Sequence, residues 1–416
     1  MQRKRLVVGT LFVALLGGVT RVVGDYQSSP QSLAARQTAG GDLSARARKV
    51  HFSSIVLDTH ADTTQRLLDG KFDIGERHTD GSIDIPRMKE GGENAQFFAV
   101  WIDGKIQGPP AIKDALDQID LIHQMVRQHS ADMVLATTAN EVRAAHRQGK
   151  IAALIGMEGG HMIGNDIHMI PIYAALGVRY ITLSHFYNTE WSDSSTDKPA
   201  HNGLSDFGKD VVRAMNREGI MVDISHVSDK TFYDVLEVSR APVIASHSSL
   251  RALCDIPRNM SDEMVRALAR KGGLVNINFN AAYLDRKTYD AFTAFRDQRD
   301  REIADMLSLN IGNSRRWELK RAIQQHYRAQ LPNAGIDAVL RMIDHAVKVA
   351  GADHVGFGSD FDGVSGMVPV GMEDVSKYPD LVSGLIDMGY ADADIRKIMG
   401  ENLLRVMRAA EEAAEK

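Results

Sequence analysis

The chain has 416 residues, with 49 Lys and Arg against 54 Asp and Glu, so its formal net charge is −5. Hydrophobic residues make up 44% and charged residues 25% of the sequence, which is typical of a soluble globular protein and excludes a disordered chain, a collagen-like fibre and a polytopic membrane protein. This charge provides no basic field for nucleic acid, and the single cysteine, Cys254, excludes an intrachain disulfide and a thiolate metal cluster. We therefore expect the partner to be a small molecule.

The first residues have the pattern of an export signal. A basic stretch, Gln2–Arg5, precedes an apolar run over Leu6–Thr20. The sequence predicts a Sec-type signal peptide over residues 1–24 and a flexible linker, rich in Ser, Gln, Ala and Gly, over residues 25–49. The alternative is an uncleaved anchor in which Arg21 snorkels to the membrane surface. We expect a periplasmic or secreted protein, with this segment as the sole contact with a membrane.

From Val50 onward, short β-rich stretches alternate with segments that have apolar residues at helix spacing. The predicted strands are Ser54–Thr59, Ala95–Ile102, Ala152–Met157, Arg179–Leu183, Ile220–Ser225, Pro242–Ser246, Gly273–Phe279 and His354–Ser359. Alternating strands and helices imply parallel pairing, and eight such units favour a (β/α)₈ TIM barrel over residues 50–416. No glycine-rich nucleotide-binding motif follows the first strand.

A charged segment, Tyr283–Pro332, follows the seventh predicted strand and is too long for a simple loop. We interpret it as a helical insertion on the catalytic rim of the barrel. The alternative is a solvated helical hairpin whose only role is packing.

Polar side chains end most of the predicted strands, where a barrel of this kind carries its functional groups. These residues are His60, Asp62, Glu158, His185, His226, His247 and Asp360. His60 and Asp62 are two positions apart, so on an extended chain both side chains face one ion. Each residue alone is more simply a structural hydrogen-bonding group. Together they predict a metal centre, because burying all of them unpaired would cost several kcal/mol.

Five metal ligands exceed the number that one catalytic zinc uses while keeping an open position. Two ions bridged by Glu158 fit this count better, and they would activate water and polarise a carbonyl. Asp360 is either a catalytic group or a turn aspartate beside Asp362 and Gly363. Arg258 is either a carboxylate clamp or a surface ion pair.

Five short motifs resemble the signatures of the renal, or membrane, dipeptidase family of binuclear zinc peptidases. They are His60-Ala61-Asp62, Glu158-Gly159-Gly160-His161, Ser225-His226-Val227-Ser228, Ser246-His247-Ser248-Ser249 and Gly358-Ser359-Asp360-Phe361-Asp362-Gly363. They occur in the family order between Phe52 and Met407. The resemblance implies a metal-dependent hydrolase barrel that cleaves dipeptides by a metal-bridging hydroxide, including dipeptides with a D residue at the C-terminal position.

The resemblance also implies a role for each site residue. His60 and Asp62 would bind one Zn²⁺, His226 and His247 a second, and Glu158 would bridge the two ions. His185 would contact the substrate carbonyl oxygen as the tetrahedral intermediate forms, Arg258 would hold the substrate carboxylate, and Asp360 would carry a proton to the leaving amine. The family also suggests a homodimer.

Some features depart from the family pattern. The mammalian members carry disulfides and a C-terminal lipid-anchor signal, whereas this sequence has a single cysteine and the polar run Ala409–Lys416, so we expect an exported bacterial member. The strand-seven segment Val275–Asn280 keeps the family pattern only loosely, so we expect Phe279 or its neighbours to shape a different side-chain pocket.

Three other functions stay open from the residues alone. The first is a different amidohydrolase-like enzyme that acts on a lactone, amide or phosphoester. The second is a non-catalytic protein that binds or matures a peptide-derived metabolite. The third is a glycosidase that uses Glu158 and Asp360, which leaves the histidines unexplained.

Overall fold

The structure is a computed structural model that describes residues 43–414, except for residues 69, 310–312, 333 and 365. The side chains of residues 307, 313–318 and 321 are likewise not described. The predicted signal peptide over residues 1–24 and most of the predicted linker lie outside this range. Within it, every helix is too short or too polar to cross a membrane.

The described strands form one sheet in which every pairing is parallel. They are Leu57–Ala61 (β1), Ala95–Trp101 (β2), Met133–Leu135 (β3), Ile151–Glu158 (β4), Val178–Thr182 (β5), Met221–Asp223 (β6), Ile244–Ser248 (β7), Leu274–Ile277 (β8) and Val355–Phe357 (β9). The sheet closes because β2 pairs with both β1 and β4, while β1 also pairs with β9. The result is an eight-stranded (β/α)₈ barrel, as predicted.

The structure has one strand, β3, that the sequence analysis did not predict. It pairs only with the first residues of β4, where Met133 faces Ile151, and it extends the sheet outside the closed barrel. Its three residues are too few to show the alternation by which strands are predicted.

Helices connect the strands and cover the outside of the barrel. The α-helices are Ala45–Phe52 (α1), Thr64–Leu67 (α2), Ile85–Gly91 (α3), Pro109–Gln128 (α4), Ala139–Arg147 (α5), Met169–Ala175 (α6), Asp206–Arg217 (α7), Asp229–Val238 (α8), Asp262–Arg270 (α9), Ala281–Leu284 (α10), Arg286–Leu307 (α11), Asn313–Arg328 (α12), Ile336–Ala350 (α13), Tyr378–Asp387 (α14), Asp392–Arg396 (α15) and Asn402–Ala413 (α16). Shorter helical turns are Gly160–Ile163, Ala352–His354, Val375–Lys377 and Lys397–Glu401.

Serine caps begin three of the helices that follow the strand ends. The hydroxyl groups of Ser205, Ser228 and Ser261 each accept a hydrogen bond from the backbone N–H three residues later. These caps satisfy N–H groups that a helix leaves unpaired. They fix where each loop on the catalytic face returns to the outer layer.

The domain begins slightly earlier than predicted. Helix α1 starts at Ala45, within the segment 25–49 that was expected to be a linker. Ala47 and Val50 are buried on its inner face, and Arg46 forms an ion pair with Asp392 at 2.8 Å. These contacts, made with residues far along the chain, explain why the local composition did not predict the helix.

The charged insertion is a helical hairpin of α11 and α12. The two helices are joined by a hydrogen bond of 2.7 Å from the Tyr327 hydroxyl to Glu302 Oε1. Aromatic residues of α11 pack with Leu331 and Met367 in a small cluster separate from the barrel core. The structure therefore confirms the helical insertion after the strand predicted as the seventh, which is β8.

Candidate metal centre and active site

The predicted site residues converge at the carboxyl ends of the barrel strands. They lie within or just beyond β1, β4, β5, β6, β7 and β9, and the set comprises His60, Asp62, Glu158, His185, His226, His247 and Asp360. All but Asp360 are classed as buried, and Asp360 is partly buried. Five of them, Asp62, Glu158, His185, His226 and Asp360, line a cavity of about 500 Å³.

Glu158 lies at the centre of this cluster. Its Oε1 is 3.0 Å from His226 Nε2, 3.2 Å from His247 Nε2 and 3.5 Å from His185 Nε2. Its Oε2 is 3.5 Å from His60 Nε2. One carboxylate thus faces histidines from four strands, which is the placement expected of a bridging ligand.

The remaining contacts define two groups of donor atoms. His60 Nε2 is 3.5 Å from Asp62 Oδ2, and these two residues form a cluster with Asp360. His226 Nε2 is 3.0 Å from His247 Nε2. Glu158 belongs to two further groups, one with His60 and His247 and one with His185 and His226. Within each group, the possible ligand atoms lie within 4.8 Å of one another.

The chemistry of this donor set fits divalent cations. His60 Nε2 has no hydrogen-bond partner among the described residues although it is buried against carboxylates. Burial lowers the pKa of His226 and His247 well below the ordinary value, with the charges of Arg258 and His60 acting in the same direction. Both imidazoles are therefore neutral, which is the protonation state that binds a metal.

Neighbouring side chains also keep the Glu158 carboxylate ionised. Burial alone would raise the pKa of Glu158, but neighbouring His185 and His60 hold it well below its usual range. The carboxylate of Glu158 is therefore ionised. The pKa of His60 is raised by Tyr180 and Glu158 despite its burial, and a cation bound beside the carboxylates would compete with that proton.

Hydrogen bonds behind the ligands orient two of the imidazoles. His60 Nδ1 contacts the Tyr180 hydroxyl at 2.8 Å, and His247 Nδ1 contacts Ser246 Oγ at 2.7 Å. Ser246 Oγ in turn donates to Asp223 Oδ2 at 2.6 Å. With Nδ1 engaged in this way, the Nε2 atom of each imidazole is left to face the centre. The sequence analysis assigned no role to Tyr180, Ser246 or Asp223.

His185 is held by a residue that the sequence analysis also missed. The indole nitrogen of Trp101 donates to His185 Nδ1 at 3.2 Å. Trp101 is the last residue of β2, so its position at a strand end was the available signal. The contact leaves Nε2 of His185 as the atom that faces Glu158.

Asp360 occupies a strained backbone position beside the first ligand pair. Its φ is 61°, and its Oδ2 accepts a hydrogen bond of 3.0 Å from Asn278 Nδ2. Burial raises the pKa of Asp360 well above its ordinary value, and Asp62 adds to this effect, whereas His60 opposes it. Gly363 leaves room for these carboxylates, because a Cβ atom at that position would overlap Asp62 and Asp360 as they are placed.

Arg258 lies beside the ligands but is not among the residues that line the cavity. Its Nη1 donates to Ser248 Oγ at 2.9 Å and its Nη2 donates to the His247 carbonyl oxygen at 2.6 Å. Its Nε is buried without a partner among the described residues. The cavity-lining ring of Tyr283 is 5.7 Å from its guanidinium carbon.

The cavity wall differs from the sequence expectation at Phe279. This ring is buried against Phe357, Phe361 and Tyr378 and does not line the cavity, whereas its neighbour Asn280 does, so of the expected pair of possibilities it is the neighbour that reaches the pocket. The rest of this wall comes from other segments, with side chains that include Tyr283, Phe186, Phe292, Arg299, Lys320 and Met367.

The chain was compared with known families and solved structures. Residues 44–416 match the membrane dipeptidase family, peptidase family M19. The probable dipeptidase PvdM from Pseudomonas aeruginosa is 28% identical, with a TM-score of 0.76, and the match covers 93% of this chain and 100% of that one. A metallopeptidase named dipeptidase AC is 27% identical, with a TM-score of 0.70 and coverage of 86% and 98%.

A metallopeptidase from Rhodobacter sphaeroides is 26% identical, with a TM-score of 0.70 and coverage of 86% of this chain and 99% of that one. That structure holds a phosphinate mimic of the dipeptide L-Ala-D-Ala. The family match spans nearly the whole described domain and all of the site residues. The chain belongs to the membrane dipeptidase family and is a metallo-dipeptidase.

Proposed function

We propose that this protein hydrolyses dipeptides with free termini, including those with a D residue at the C-terminal position, and that its resident metals are two zinc ions. The observation that carries the proposal is the position of Glu158, whose Oε2 faces His60 while its Oε1 faces His226 and His247. Histidine and carboxylate ligands without thiolates suit zinc in an open, catalytic site.

His60 and Asp62 would hold one ion, His226 and His247 the other, and Glu158 would bridge them. When bound, such a pair of ions lowers the pKa of water toward neutrality and polarises a carbonyl group. The protein residues supply the rest of the chemistry. They orient the substrate, donate to developing charge and carry the proton to the leaving amine.

His185 is the proposed donor to the developing oxyanion. Trp101 donates to its Nδ1, so the proton of the neutral ring is on Nε2. That N–H would stabilise negative charge on the substrate oxygen as it forms, an interaction that is strongest in the transition state.

Asp360 is the proposed proton carrier. Its raised pKa and its contact with Asn278 describe a carboxyl group that binds a proton readily and is held in one orientation. A group of this kind can accept a proton from water and deliver it to the leaving amine.

Arg258 is the proposed partner of the substrate's terminal carboxylate. It is a buried guanidinium fixed by Ser248 and by the backbone of a metal ligand, within electrostatic reach of Glu158 and Asp360. A carboxylate bound there would place a short peptide with its peptide bond close to the site.

The test is to purify the chain, count its metals by elemental analysis and assay a dipeptide library that includes D residues at the C-terminal position. We expect two zinc ions per chain and turnover of several dipeptides. Glu158→Gln should lose metal and turnover together, whereas Glu190→Gln, at an exposed glutamate in the loop after β5, should keep both. Two filled sites with no turnover of any dipeptide would contradict the proposal.

We further propose that the protein is exported and forms a homodimer. The basic and apolar pattern of residues 1–20 supports export, and the dimer rests on the resemblance to the family. Cell fractionation with N-terminal sequencing of the mature protein tests export and cleavage after about residue 24. Light scattering after gel filtration tests the dimer.

A further inference from the structure

Asn280 is a polar residue of the cavity wall that the proposed function does not use. It is only 5% exposed, yet it is among the residues that line the cavity. Its side-chain Oδ1 accepts a hydrogen bond of 3.0 Å from the backbone N–H of Ala282, at the start of α10. Because an N–H group only donates, the acceptor has to be the oxygen, and this contact fixes the orientation of the amide.

The other branch of this amide, Nδ2, is left for a ligand. It has no hydrogen-bond partner among the described residues but is not fully enclosed, so it is open to the cavity that Asn280 lines. An amide NH₂ group carries two donors, and leaving them unpaired away from bulk water costs free energy. An acceptor atom of a ligand at this point of the cavity would satisfy one of them.

Hydrogen bonds also hold the backbone of Asn280 in place. Its N–H donates to Asn278 Oδ1 at 2.5 Å, and its carbonyl oxygen accepts from the Tyr283 N–H at 2.8 Å. Asn278 in turn donates from Nδ2 to Asp360 Oδ2 at 3.0 Å, and the Tyr283 ring is 5.7 Å from the guanidinium carbon of Arg258. Asn280 thus belongs to a segment that contacts both the proposed proton carrier and the proposed carboxylate partner.

Both of those groups are assigned to the same residue of the substrate. Asp360 delivers a proton to the leaving amine, which belongs to the C-terminal residue of the dipeptide, and Arg258 binds the carboxylate of that residue. The amine and the carboxylate are thereby committed. The side chain of the C-terminal residue is the substituent left to face Asn280.

We propose that Asn280 Nδ2 donates a hydrogen bond to the side chain of the substrate's C-terminal residue, so that the protein favours dipeptides whose C-terminal side chain carries an oxygen acceptor, such as asparagine or glutamine. This inference rests on the proposed function and names the substrate class of the same site. A site that offers a buried donor discriminates against an analogue without the acceptor, because the donor is then left unpaired.

The experiment compares substrates that differ in the acceptor. Ala-Asn is paired with Ala-Leu, in which methyl groups replace the amide oxygen and nitrogen, and Ala-methionine sulfoxide is paired with Ala-Met. Each dipeptide is made with D and with L residues at the C-terminal position, and Ala-Ala is the reference substrate. For the preferred stereoisomer, we expect kcat/KM to be about tenfold higher for the acceptor-bearing member of both pairs, which corresponds to about 1.4 kcal/mol.

Two substitutions keep an acceptor for the Ala282 N–H and change the donor, since serine and aspartate are both good helix caps. Asn280→Ser removes the amide group and should bring both ratios close to one. Asn280→Asp replaces the donor with a second acceptor when it is assayed at pH 8 to ionise the new carboxyl group. It should abolish the preference for the sulfoxide, which only accepts, and keep the preference for Ala-Asn, whose NH₂ group can donate in the reverse direction.

Asn140→Asp is the matched control. Asn140 is exposed near the start of α5 and does not line the cavity, so this variant should keep both wild-type ratios. Metal analysis of every variant shows whether the metal site is intact. Phosphinate mimics of Ala-Asn and Ala-Leu give a binding readout that does not depend on turnover, and calorimetry should show the same ratio of affinities in the wild type and its loss in Asn280→Ser.

The outcomes separate this inference from the function on which it rests. Turnover of Ala-Ala with both ratios near one in the wild type would overturn the inference and leave the dipeptidase function standing. A fall in kcat/KM of the same size for every dipeptide in Asn280→Ser would place the amide on the substrate main chain and would also overturn it. Absence of turnover on every dipeptide would overturn both.

Discussion

The Trp101 indole N–H donates to Nδ1 of His185 across 3.2 Å, linking the end of β2 to the loop after β5. An indole nitrogen is a donor only, so Nδ1 of His185 has to be the acceptor and the ring proton lies on Nε2. Trp101 therefore selects the tautomer in which His185 can donate to the substrate. The same contact holds the ring, since His185 has this partner on one side and Glu158 on the other.

We expect Trp101→Phe to lower kcat for Ala-Ala about tenfold, because one neutral hydrogen bond is worth about 1 kcal/mol or slightly more. KM and metal content should change little, since Trp101 is not a ligand. His185→Gln should have a larger effect, of about 10²- to 10³-fold in kcat, as for loss of an oxyanion donor. Steady-state kinetics and metal analysis measure both.

The double variant decides whether the two residues act together. If Trp101 works through His185, adding Trp101→Phe to His185→Gln should cost little more than His185→Gln alone. Fully additive losses would contradict this positioning role.

A second prediction concerns the hydrogen-bonded series Asp223–Ser246–His247. Ser246→Ala removes the acceptor for His247 Nδ1, so the imidazole is less well oriented toward the metal. We expect about 10- to 100-fold weaker zinc binding, as is common when a partner of a metal-binding histidine is lost. Competition with a chromogenic chelator gives the affinity.

Ser249→Ala is the matched control for that experiment. Ser249 is also buried, but its hydroxyl donates to the Asn278 carbonyl and not to a ligand. It should bind zinc as the wild type does. Equal losses in the two variants would show that the effect is one of general packing.

The sequence was sufficient to predict the barrel and the convergence of the proposed ligands at one end of it, for a simple physical reason. Each barrel strand is a short apolar run, and the first large polar side chain near its end lies at the rim, so His226 and His247 could be proposed without knowledge of any contact. The partners of the ligands could not be predicted in this way. Tyr180 lies before the end of its strand, so the sequence pattern predicts a core residue. Its contact with His60 joins residues that are 120 positions apart in the chain.

The directions of other side chains depend on tertiary packing, which the alternation of residues along a strand does not determine. Phe279 lies beyond Ile277, where β8 ends, so strand alternation no longer determines its direction, and it turns to meet Tyr378. The insertion was predicted as helical, but which of its charges face inward depends on how α11 docks. Arg296 and Arg299 look alike in sequence and differ only through that docking.

A third prediction tests the role of Arg258. Arg258→Gln should raise KM for dipeptides about 10- to 100-fold, because a hydrogen-bonded contact with a charged group contributes about 1.5–3 kcal/mol. Dipeptides with an amidated C-terminus should lose little. Arg258→Lys should retain part of the affinity, since an ammonium keeps the charge and loses the fork.

Arg266, on α9, offers a control. Its side chain is 48% exposed and forms an ion pair with Asp262 of the same helix at 3.8 Å, so Arg266→Gln should leave KM unchanged. If Arg258→Gln impaired the amidated and free dipeptides equally, the carboxylate assignment would be wrong, and an amidohydrolase acting on another substrate class would be favoured.

The last prediction concerns a buried acid outside the active site. Glu93, in the turn between α3 and β2, is buried, and neither carboxylate oxygen has a hydrogen-bond partner among the described residues. Burial, assisted by the charge of Asp58, raises the pKa of Glu93 well above its usual value. The folded protein therefore keeps the proton to a higher pH than the unfolded chain does, for which the pKa is about 4.3.

The sign of the pH effect follows from this difference. Above the unfolded pKa, unfolding releases the proton, so the free energy of unfolding falls by about 1.4 kcal/mol per pH unit until the folded pKa is reached. Glu93→Gln removes the titration, so its stability relative to wild type should increase as the pH rises from about 5 to 8. Urea unfolding at a series of pH values measures the difference. Glu90→Gln, at an exposed glutamate on α3, should follow the wild type throughout, and a constant offset between Glu93→Gln and wild type would contradict the titration argument.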